Sequence, residues 1–490
     1  MISTWIRANW SSRNMSDYIH PLTSALEKHG NQTALVSNRA NLTYRDLGEK
    51  VAQISGALQD RGVGLGDIVV LDNLAPTQMI PTLWAASICG AVAFPLNERF
   101  PLPALEERLG EISVKLVLSD RVFSKFTAIT LNRLLAEHRS PMMGEAWDPH
   151  AATTLLMTSG SSGRSKIVAH SGRNHIASAN GSNMNIELGP KDRWMLTLPL
   201  YHVGGLSITY RASIAGAAIV IPDPSQTLAE NIRAYSVTHI SLVATQLQRI
   251  LDEPNGAETL KNMQAILLGG SAIPQALIDQ ALDAKLPIFL SYGSTEMASQ
   301  ICTTSEKDFR SGLANSGRIL SGRDLIISHQ GEILVKGPTL ALGYLEGSEI
   351  KDLRDQNGWF HTGDVGYLEV DGALTVTGRM DNQFISGGEN IQPEHIETTL
   401  LTVPGIEQAF VLPIQSKEFG NRPVALLHLS NASLNATDLN QALRQTLPGY
   451  MIPDQYLVLP DEFHDPELKV SRRELLQYLN DENNPLQAIQ

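Results

Sequence analysis

The N-terminal part of the chain alternates between helical apolar spacing and short apolar runs, and this alternation constrains the fold most. Leu47, Val51 and Leu58 recur at helical spacing, and the apolar run 67–71 follows them as a predicted strand. The same rhythm continues to about residue 291. Because a strand–helix–strand unit makes its two strands parallel and covers the sheet with the helix, the pattern predicts helix-covered, mainly parallel sheets.

The individual elements can be placed from the same spacing. A helix is predicted to start after Thr43 as its N-cap, and others over 76–89, from about 108, over 207–215, over 226–235 and from Pro274. The predicted strands are 90–97, 114–120, 152–157, 167–170, 194–200, 217–221, 239–244, 265–268 and 286–291.

The pattern changes after about residue 313, where predicted strands become short and rich in turns. The dipeptide Asp371-Gly372 between two alternating runs predicts a hairpin. The last hundred or so residues suggest a separate α+β unit. Its predicted helices are 393–401, 438–447 and 471–479, and its predicted strands are 408–414 and 424–429. The sequence thus predicts an α/β protein with a large domain over 1–380, including a β-rich subdomain from about 313, and a small α+β domain over 381–490.

Composition excludes several classes of protein. The 490 residues carry a net charge of −13, which argues against a general nucleic-acid partner. Cys89 and Cys302 form neither a disulfide framework nor a zinc motif, as is typical of the cytoplasm. The sequence shows no apolar run long enough for a signal peptide or a membrane span. We therefore expect a cytoplasmic protein, and a homo-oligomer is compatible with the sequence.

The segment 158–166, TSGSSGRSK, is rich in glycine and hydroxyl residues and lies between two predicted strands. Its glycines allow close approach of backbone N–H groups, its hydroxyls add donors, and Lys166 adds positive charge. An anion-binding loop and an exposed Ser/Gly hairpin both fit this stretch alone. It is not a Walker A loop, because no Gly-Lys-Ser/Thr follows Gly163.

Four further motifs follow in order: YGSTE at 292–296, TGD at 362–364, GRMDNQFISGGENIQPEHIE at 378–397, and Lys469. With the loop at 158–166, they resemble the adenylate-forming acyl-CoA synthetase superfamily over nearly the whole chain. The segments FISGGENIQPEHIE and KEFGNRPVA most resemble the branch that joins o-succinylbenzoate to coenzyme A in menaquinone biosynthesis. The resemblance implies ATP, Mg²⁺ and coenzyme A as co-substrates or cofactors, and a C-terminal domain that moves about a hinge at Asp381.

The resemblance implies that the loop holds the β- and γ-phosphates of ATP, and its family pattern usually has Pro at the position of Ser165. Glu296 is the expected Mg²⁺ ligand because this metal prefers oxygen donors, with Thr158 as a second candidate. The expected ATP- and AMP-binding residues are Thr158, Ser159, Gly160, Ser161, Ser162, Gly163, Lys166, Gly269, Gly270, Ser271, Tyr292, Gly293, Thr295, Asp364 and Arg379.

Specific roles follow within this set. Tyr292 would stack on adenine, Thr295 would donate to the α-phosphate, and Asp364 would accept from the ribose hydroxyls, with Arg379 beside it. The structural alternatives are a helix cap at Glu296, an ordinary buried aromatic at Tyr292 and a plain turn at Asp364.

Lys469 resembles the lysine that contacts the acid and the α-phosphate, where a fixed ammonium would stabilise developing charge. The chain departs from the family's Gly-Lys here, since Leu468 precedes the lysine, and a solvated lysine is the alternative. Gly387 and Gly388 would approach the pantetheine arm of coenzyme A in the second step.

For the acid itself, His202 lies where the family has a gate to the acyl pocket, and a hydrogen-bonded loop residue is the alternative. Arg211 is the candidate partner for a second carboxylate, because an unpaired buried carboxylate is unfavourable. A surface arginine extending from its helix fits equally well.

Three functions remain open from the sequence. The first is a ligase that forms 2-succinylbenzoyl-CoA. The second is another aryl- or acyl-CoA synthetase, or an adenylation enzyme that loads a carrier protein. The third, an inactive scaffold of the same fold, is disfavoured because Glu296, Asp364, Arg379 and Lys469 are all present.

Overall fold

The computed structural model describes residues 19–137, 147–158, 165–270, 273–312, 315–430, 434–463, 470–481 and 486–489. Among these residues, no helix has both the length and the apolar character needed to cross a bilayer. Cys89 and Cys302 are buried free thiols.

Two large sheets form the N-terminal part. The nine-stranded sheet is parallel at its centre and antiparallel at both edges. Its strands, from edge to edge, are Arg318–Ile319, Ser299–Thr303, Ile288–Ser294, Ala265–Gly269, His239–Leu242, Arg193–Met195, Ala218–Val220, Thr33–Val36 and Asn41–Thr43.

The eight-stranded sheet is also mixed, with its parallel strands at one end and its antiparallel strands at the other. In spatial order its strands are Glu349–Lys351, Gly343–Glu346, Lys166–Ser171, Ala152–Thr158, Val92–Pro95, Ile68–Leu71, Val114–Leu118 and Ala128–Ile129. The two strands predicted around the 158–166 loop are therefore confirmed as an antiparallel pair.

Helices fill the space between the two sheets and cover their outer faces. One hydrophobic core contains side chains of both sheets and of several helices, among them Tyr44–Asp60, Pro76–Ile88, Gly172–Asn185 and Val203–Ala215. The other described helices of this part are Pro21–His29, Leu102–Leu109, Leu131–Ala136, Leu228–Ala234, Ala244–Asp252, Gly256–Lys261, Gln275–Asp283 and Glu306–Arg310.

The strand Ala265–Gly269 shows how both faces of a central strand are buried. Ala265 and Leu267 face the core between the sheets, whereas Ile266 and Leu268 belong to the core on the outer face. Side chains of a strand alternate between its faces, so a continuous apolar run is required here. The predicted helix-covered, mainly parallel α/β architecture is confirmed.

The strands that follow residue 313 belong to different sheets. A four-stranded antiparallel sheet contains Asp324–Ile327, Glu332–Lys336, Phe360–Leu368 and Leu374–Arg379, the last two joined by the predicted hairpin. The strands Gly343–Glu346 and Glu349–Lys351 instead extend the eight-stranded sheet.

The C-terminal part is α+β, as predicted. Its five-stranded sheet contains Glu389–Ile391, Phe384–Ser386, Gly420–Leu429, Ile406–Ser416 and Gln455–Val458. The helices Pro393–Leu400, Ala436–Leu443 and Arg472–Asn480 contribute to its two cores. Short 3₁₀ turns occur at Met380–Asn382, Gly449–Met451 and Asp461–Phe463.

Several predicted boundaries were wrong for identifiable reasons. The helix expected from about residue 108 instead spans Leu102–Leu109. It begins earlier because proline is tolerated in the first turn of a helix. The strand expected over 194–200 ends at Met195, ahead of Pro199. The helix expected to begin at Ser207 begins at Val203 and includes Gly205, whose added β-carbon would lie 2.2 Å from the carbonyl oxygen of Pro199.

Candidate active site

One hairpin connects the three groups of side chains that the sequence motifs predicted. It consists of Ile288–Ser294 and Ser299–Thr303, and the 294–299 turn joins the two strands. Gly293 is required where these strands meet, since a β-carbon there would lie 2.1 Å from the carbonyl oxygen of Ser299. The YGSTE motif therefore continues a strand into its turn, and Glu296 does not start a helix.

The first group surrounds Glu296. The hydroxyl of Tyr344 donates a 2.9 Å hydrogen bond to its Oε1. The Nζ of Lys166 lies 4.5 Å from the centre of the Tyr344 ring. Burial and the nearby Glu296 carboxylate raise the pKa of Tyr344, so its hydroxyl stays protonated as a donor. The end of the 158–166 loop and the candidate metal ligand thus converge on one tyrosine.

Thr158 ends the strand that precedes the loop and pairs with Lys166 across the hairpin. This register places both ends of the loop next to each other. Ser159, Gly160, Ser161, Ser162 and Gly163 lie outside the described residues.

The second group is an ion-pair network on the four-stranded sheet. Tyr292 donates a 2.6 Å hydrogen bond to Oδ2 of Asp364, and Arg379 donates a 2.8 Å bond to its Oδ1. Arg379 also reaches Oδ2 of Asp381 at 3.2 Å. Burial by itself would lower the pKa of Arg379, but Asp364 and Asp381 raise it above its ordinary value. Asp364 lies in a strand paired with Arg379, so the plain-turn alternative is wrong.

Tyr292 is half-buried and hydrogen-bonded rather than an ordinary core aromatic. Burial and the Asp364 carboxylate raise its pKa far above the ordinary value. Gly269 pairs with Ser291 on the adjacent strand, and Gly270 follows with a φ of 98°. Because these glycines have no side chains, the strand edge beside Tyr292 is open. A planar base needs such an open edge in order to lie against it. Ser271 lies outside the described residues.

The third group contains Arg211, which is 1% exposed and therefore not a surface arginine. Its Nη2 donates to the Ser299 hydroxyl at 3.1 Å, and its guanidinium lies 5.2 Å from the centre of the Trp194 ring. Its Nε and Nη1 are buried without hydrogen-bond partners in the described part of the chain. Burial and the neighbouring Arg323 lower its pKa to about 9, so it remains a cation near neutral pH.

Arg323 is a second buried guanidinium in this region, but it is fully engaged. It donates to the carbonyl oxygens of Gln300, Ser321 and Ser178. Neither Arg211 nor Arg323 has a carboxylate partner among the described residues. The interior beside the hairpin is therefore positively charged, and two nitrogens of Arg211 lack hydrogen-bond partners in the described part of the chain.

His202 precedes the helix that carries Arg211. It occupies the N-cap position of Val203–Ala215 without making a side-chain cap, and its ring meets Tyr201 edge-on at 4.7 Å. Restricted hydration lowers its pKa, and the Arg99 cation lowers it further. A neutral ring at the start of the Arg211 helix is compatible with the gate role predicted for it.

In the C-terminal part, Asp381 lies in the 3₁₀ turn Met380–Asn382, directly after the strand that ends at Arg379. Gly387 and Gly388 form an exposed turn with φ values of 58° and 90°. The hinge at Asp381 and the contact of Gly387 and Gly388 with coenzyme A remain predictions. Lys469 lies outside the described residues.

The structure adds residues that the sequence motifs did not indicate. Tyr344 contacts Glu296, Ser299 contacts Arg211, and Nε2 of His170 donates to the carbonyl oxygen of Thr295. Each lies in a strand, separate from the turn or helix that contains the residue it contacts. Only the sheet pairing of Tyr344 with Val168 brings it to the end of the loop, and no spacing rule predicts that pairing.

Comparison with known proteins gives a consistent picture. The model of the family "AMP-binding enzyme" matches residues 22–345, and that of the "AMP-binding enzyme C-terminal domain" matches residues 395–465. The chain is 34% identical over 453 residues to the 2-succinylbenzoate–CoA ligase of Escherichia coli K12, covering 92% of this chain and 96% of that protein.

Solved structures agree with this similarity. The o-succinylbenzoate CoA synthetase MenE of Bacillus subtilis, in complex with the acyl-adenylate intermediate OSB-AMP, superposes with a TM-score of 0.84 at 29% identity. That match covers 94% of this chain and 98% of the other. The same protein in complex with ATP and a magnesium ion gives a TM-score of 0.81 at 29% identity, covering 90% and 95% of the two chains.

Proposed function

The chain belongs to the AMP-binding enzyme family, and we propose that it joins 2-succinylbenzoate to coenzyme A through an acyl-adenylate. The product would be 2-succinylbenzoyl-CoA, a step of menaquinone biosynthesis. The names of its relatives and their coverage of nearly the whole chain support this substrate.

The observation that carries the substrate assignment is the state of Arg211. It is a buried cation with two nitrogen atoms, Nε and Nη1, that lack hydrogen-bond partners in the described part of the chain. Buried charges are normally paired, and a planar guanidinium matches a carboxylate through two parallel hydrogen bonds. A diacid can present one carboxylate to Arg211 and the other to ATP, which a simple monocarboxylic acid cannot do.

The residues present fit ATP with Mg²⁺. Among the described residues no cluster of three or more acidic, histidine or cysteine side chains could enclose a metal, but Mg²⁺ commonly uses one or two carboxylates with substrate phosphates. Tyr344 engages Oε1 of Glu296, which leaves Oε2 for the metal. When bound, the ion would neutralise charge on the triphosphate. Thr158 is the second proposed contact.

In the first step a carboxylate oxygen of the acid attacks the α-phosphorus, and the bond to the leaving pyrophosphate breaks. The loop at 158–166 with Lys166 would hold the β- and γ-phosphates, and Asp364 with Arg379 would bind the ribose. Thr295 and Lys469 would contact the α-phosphate, where fixed donors stabilise charge that develops during transfer. Tyr292 would lie against adenine beside Gly269, Gly270 and Ser271.

In the second step the sulfur of coenzyme A attacks the acyl carbonyl, and AMP leaves. We propose that the domain over 381–490 rotates about Asp381 between the two steps. The salt bridge between Asp381 and Arg379 supports a hinge beside the proposed ribose-binding residues. Gly387 and Gly388 would then approach the pantetheine arm, and a hinge of a few residues is sufficient for such a motion.

We also propose that the enzyme works in the cytoplasm. Its two cysteines, Cys89 and Cys302, are buried thiols rather than a disulfide, which is compatible with a reducing compartment.

Acid-dependent exchange of pyrophosphate into ATP tests the proposal. We expect exchange with 2-succinylbenzoate to exceed that with benzoate and with medium-chain fatty acids, and addition of coenzyme A to yield the thioester. Preference for a monocarboxylic acid would reject the substrate, and transfer to a carrier protein but not to coenzyme A would reject the acceptor.

A further inference from the structure

The 294–299 turn is held in a backbone shape that its own residues do not favour. Ala298 and Ser299 have φ values of 53° and 114°, a region that residues with a side chain rarely occupy. Such conformations persist when the surroundings impose them, and they concentrate at functional sites. Because Glu296 lies in this turn, contacts that impose its shape also place the carboxylate.

Three carbonyl oxygens of the turn are bound from outside it. Nε2 of His170 lies 2.7 Å from the oxygen of Thr295, and the Ser178 hydroxyl donates to the oxygen of Ala298 at 2.7 Å. The backbone N–H of Ala341 donates to the oxygen of Glu296 at 2.8 Å. Two of these donors come from adjoining elements, the strand Lys166–Ser171 and the helix Gly172–Asn185.

His170 is suited to a fixed, neutral donor. Its side chain is fully buried, and a carbonyl oxygen only accepts, so Nε2 must carry the proton. Its Nδ1 is buried and has no partner among the described residues. Burial also lowers its pKa to about 4. The ring therefore makes a single directed hydrogen bond, which points at the residue before Glu296.

The His170 ring is held in place by neighbouring rings. It lies 4.9 Å from the ring of His175, which stacks on Tyr210 at 4.6 Å with an interplanar angle of 25°. His175 is itself fixed by a 2.7 Å hydrogen bond with the Thr154 hydroxyl. This packing restricts rotation of His170 and keeps its Nε2 directed at the turn.

We propose that His170 is a positioning residue that holds the strained 294–299 turn, through the Thr295 carbonyl, in the shape that aims Glu296 at the metal bound with ATP. The strand that ends next to His170 begins at Lys166, so one element supports the phosphate loop and the metal ligand together. The inference rests on the proposed function, because it takes Glu296 as the Mg²⁺ ligand.

Four variants test it. His170→Leu removes the donor, and His170→Gln places an amide N–H near the position of Nε2. His170→Asn is equally polar but too short to reach the Thr295 oxygen, and it replaces the leucine variant should that one fail to fold. His20→Leu is the matched control, because His20 is 1% exposed and its Nε2 hydrogen bond goes to Ser87 and not to the turn.

The measurement is the Kd for ATP by calorimetry, with and without Mg²⁺. The Mg²⁺ requirement of pyrophosphate exchange and the KM for the acid provide a second readout. We expect the gain in ATP affinity on adding Mg²⁺ to fall about tenfold in His170→Leu and His170→Asn, the size of one lost hydrogen bond. The Kd without Mg²⁺ and the KM for the acid should change less than about twofold, and His170→Gln should recover most of the loss.

The His20→Leu control should lose thermal stability but keep the full Mg²⁺ gain. Equal loss of the Mg²⁺ gain in His20→Leu and His170→Leu would show a general effect of destabilisation and overturn the inference. An unchanged gain in His170→Leu and His170→Asn would overturn it directly. If the Kd of the wild-type protein for ATP is the same with and without Mg²⁺, this would instead contradict the proposed function.

Discussion

Replacing Arg211 by methionine should make the ligand-free protein more stable and the enzyme much poorer with its diacid. Burial lowers the pKa of Arg211 from 12.5 to about 9. At about 1.36 kcal/mol per pKa unit, the ligand-free protein disfavours the charged guanidinium by roughly 5 kcal/mol. This penalty is fully present at pH 7, since the side chain is charged below its folded-state pKa.

Two contacts offset part of that penalty. The Trp194 ring and the Ser299 hydroxyl together contribute roughly 2–3 kcal/mol. Because methionine fills a similar volume without charge, Arg211→Met should stabilise the ligand-free protein by about 2 kcal/mol. Thermal unfolding without ligands should show a Tm a few degrees above that of the wild type.

The substrate reverses the sign of the effect. A diacid bound to Arg211→Met would leave one carboxylate buried without a partner, at a cost of about 3–5 kcal/mol. The corresponding loss in kcat/KM for 2-succinylbenzoate is about 10²–10⁴-fold. An analogue with that carboxylate replaced by a carboxamide is the matched substrate, and it should lose far less.

Either of two results would refute this reasoning. Equal losses for the diacid and the carboxamide would mean that Arg211 does not meet a substrate carboxylate. A fall in the stability of ligand-free Arg211→Met would mean that the buried cation already has a partner. Arg211→Lys keeps the charge but loses the planar fork, so it should fall between wild type and Arg211→Met in kcat/KM.

Three further predictions concern the steps of the reaction. Lys469→Ala should slow acyl-adenylate formation by about 10²-fold or more, while thioester formation from supplied adenylate stays near wild type; equal losses in both would exclude the proposed role. Asp381→Pro should impair one half-reaction preferentially, measured by single-turnover kinetics of each, and unchanged kinetics in both would argue against a hinge. Lys166→Met or Ser161→Ala should raise the KM for ATP by about tenfold alike for every acid tested, and an acid-dependent effect would place the loop in substrate selection.

The sequence predicted the architecture well where burial on both faces dictates composition. The apolar run of Ala265–Gly269 is required because its alternate side chains enter two different cores. Helix starts were less predictable. Gly205 lies inside Val203–Ala215 because the helix packs closely on the carbonyl oxygen of Pro199, and this contact is not visible in local sequence.

The candidate site was predictable in its motifs but not in its contacts. Arg211 could not be assigned as buried or exposed from its position alone. A usable signal existed, because it is the sole charged residue in the helix Val203–Ala215, so that helix offers no solvated face. Tyr344 contacts Glu296, and His170 contacts the residue before it. Both contacts join segments that are distant in sequence, and no spacing rule predicts the strand pairing that brings Tyr344 there.

Transfer of oxygen from the acid to AMP tests the central claim most directly. If the carboxylate attacks the α-phosphorus and the thiol then attacks the acyl carbon, 2-succinylbenzoate labelled with ¹⁸O in its carboxylates must give AMP that carries one ¹⁸O atom. Mass spectrometry of the nucleotide after reaction with ATP, Mg²⁺ and coenzyme A measures this. Labelled AMP is the predicted result, and unlabelled AMP, or ADP in its place, would contradict an acyl-adenylate.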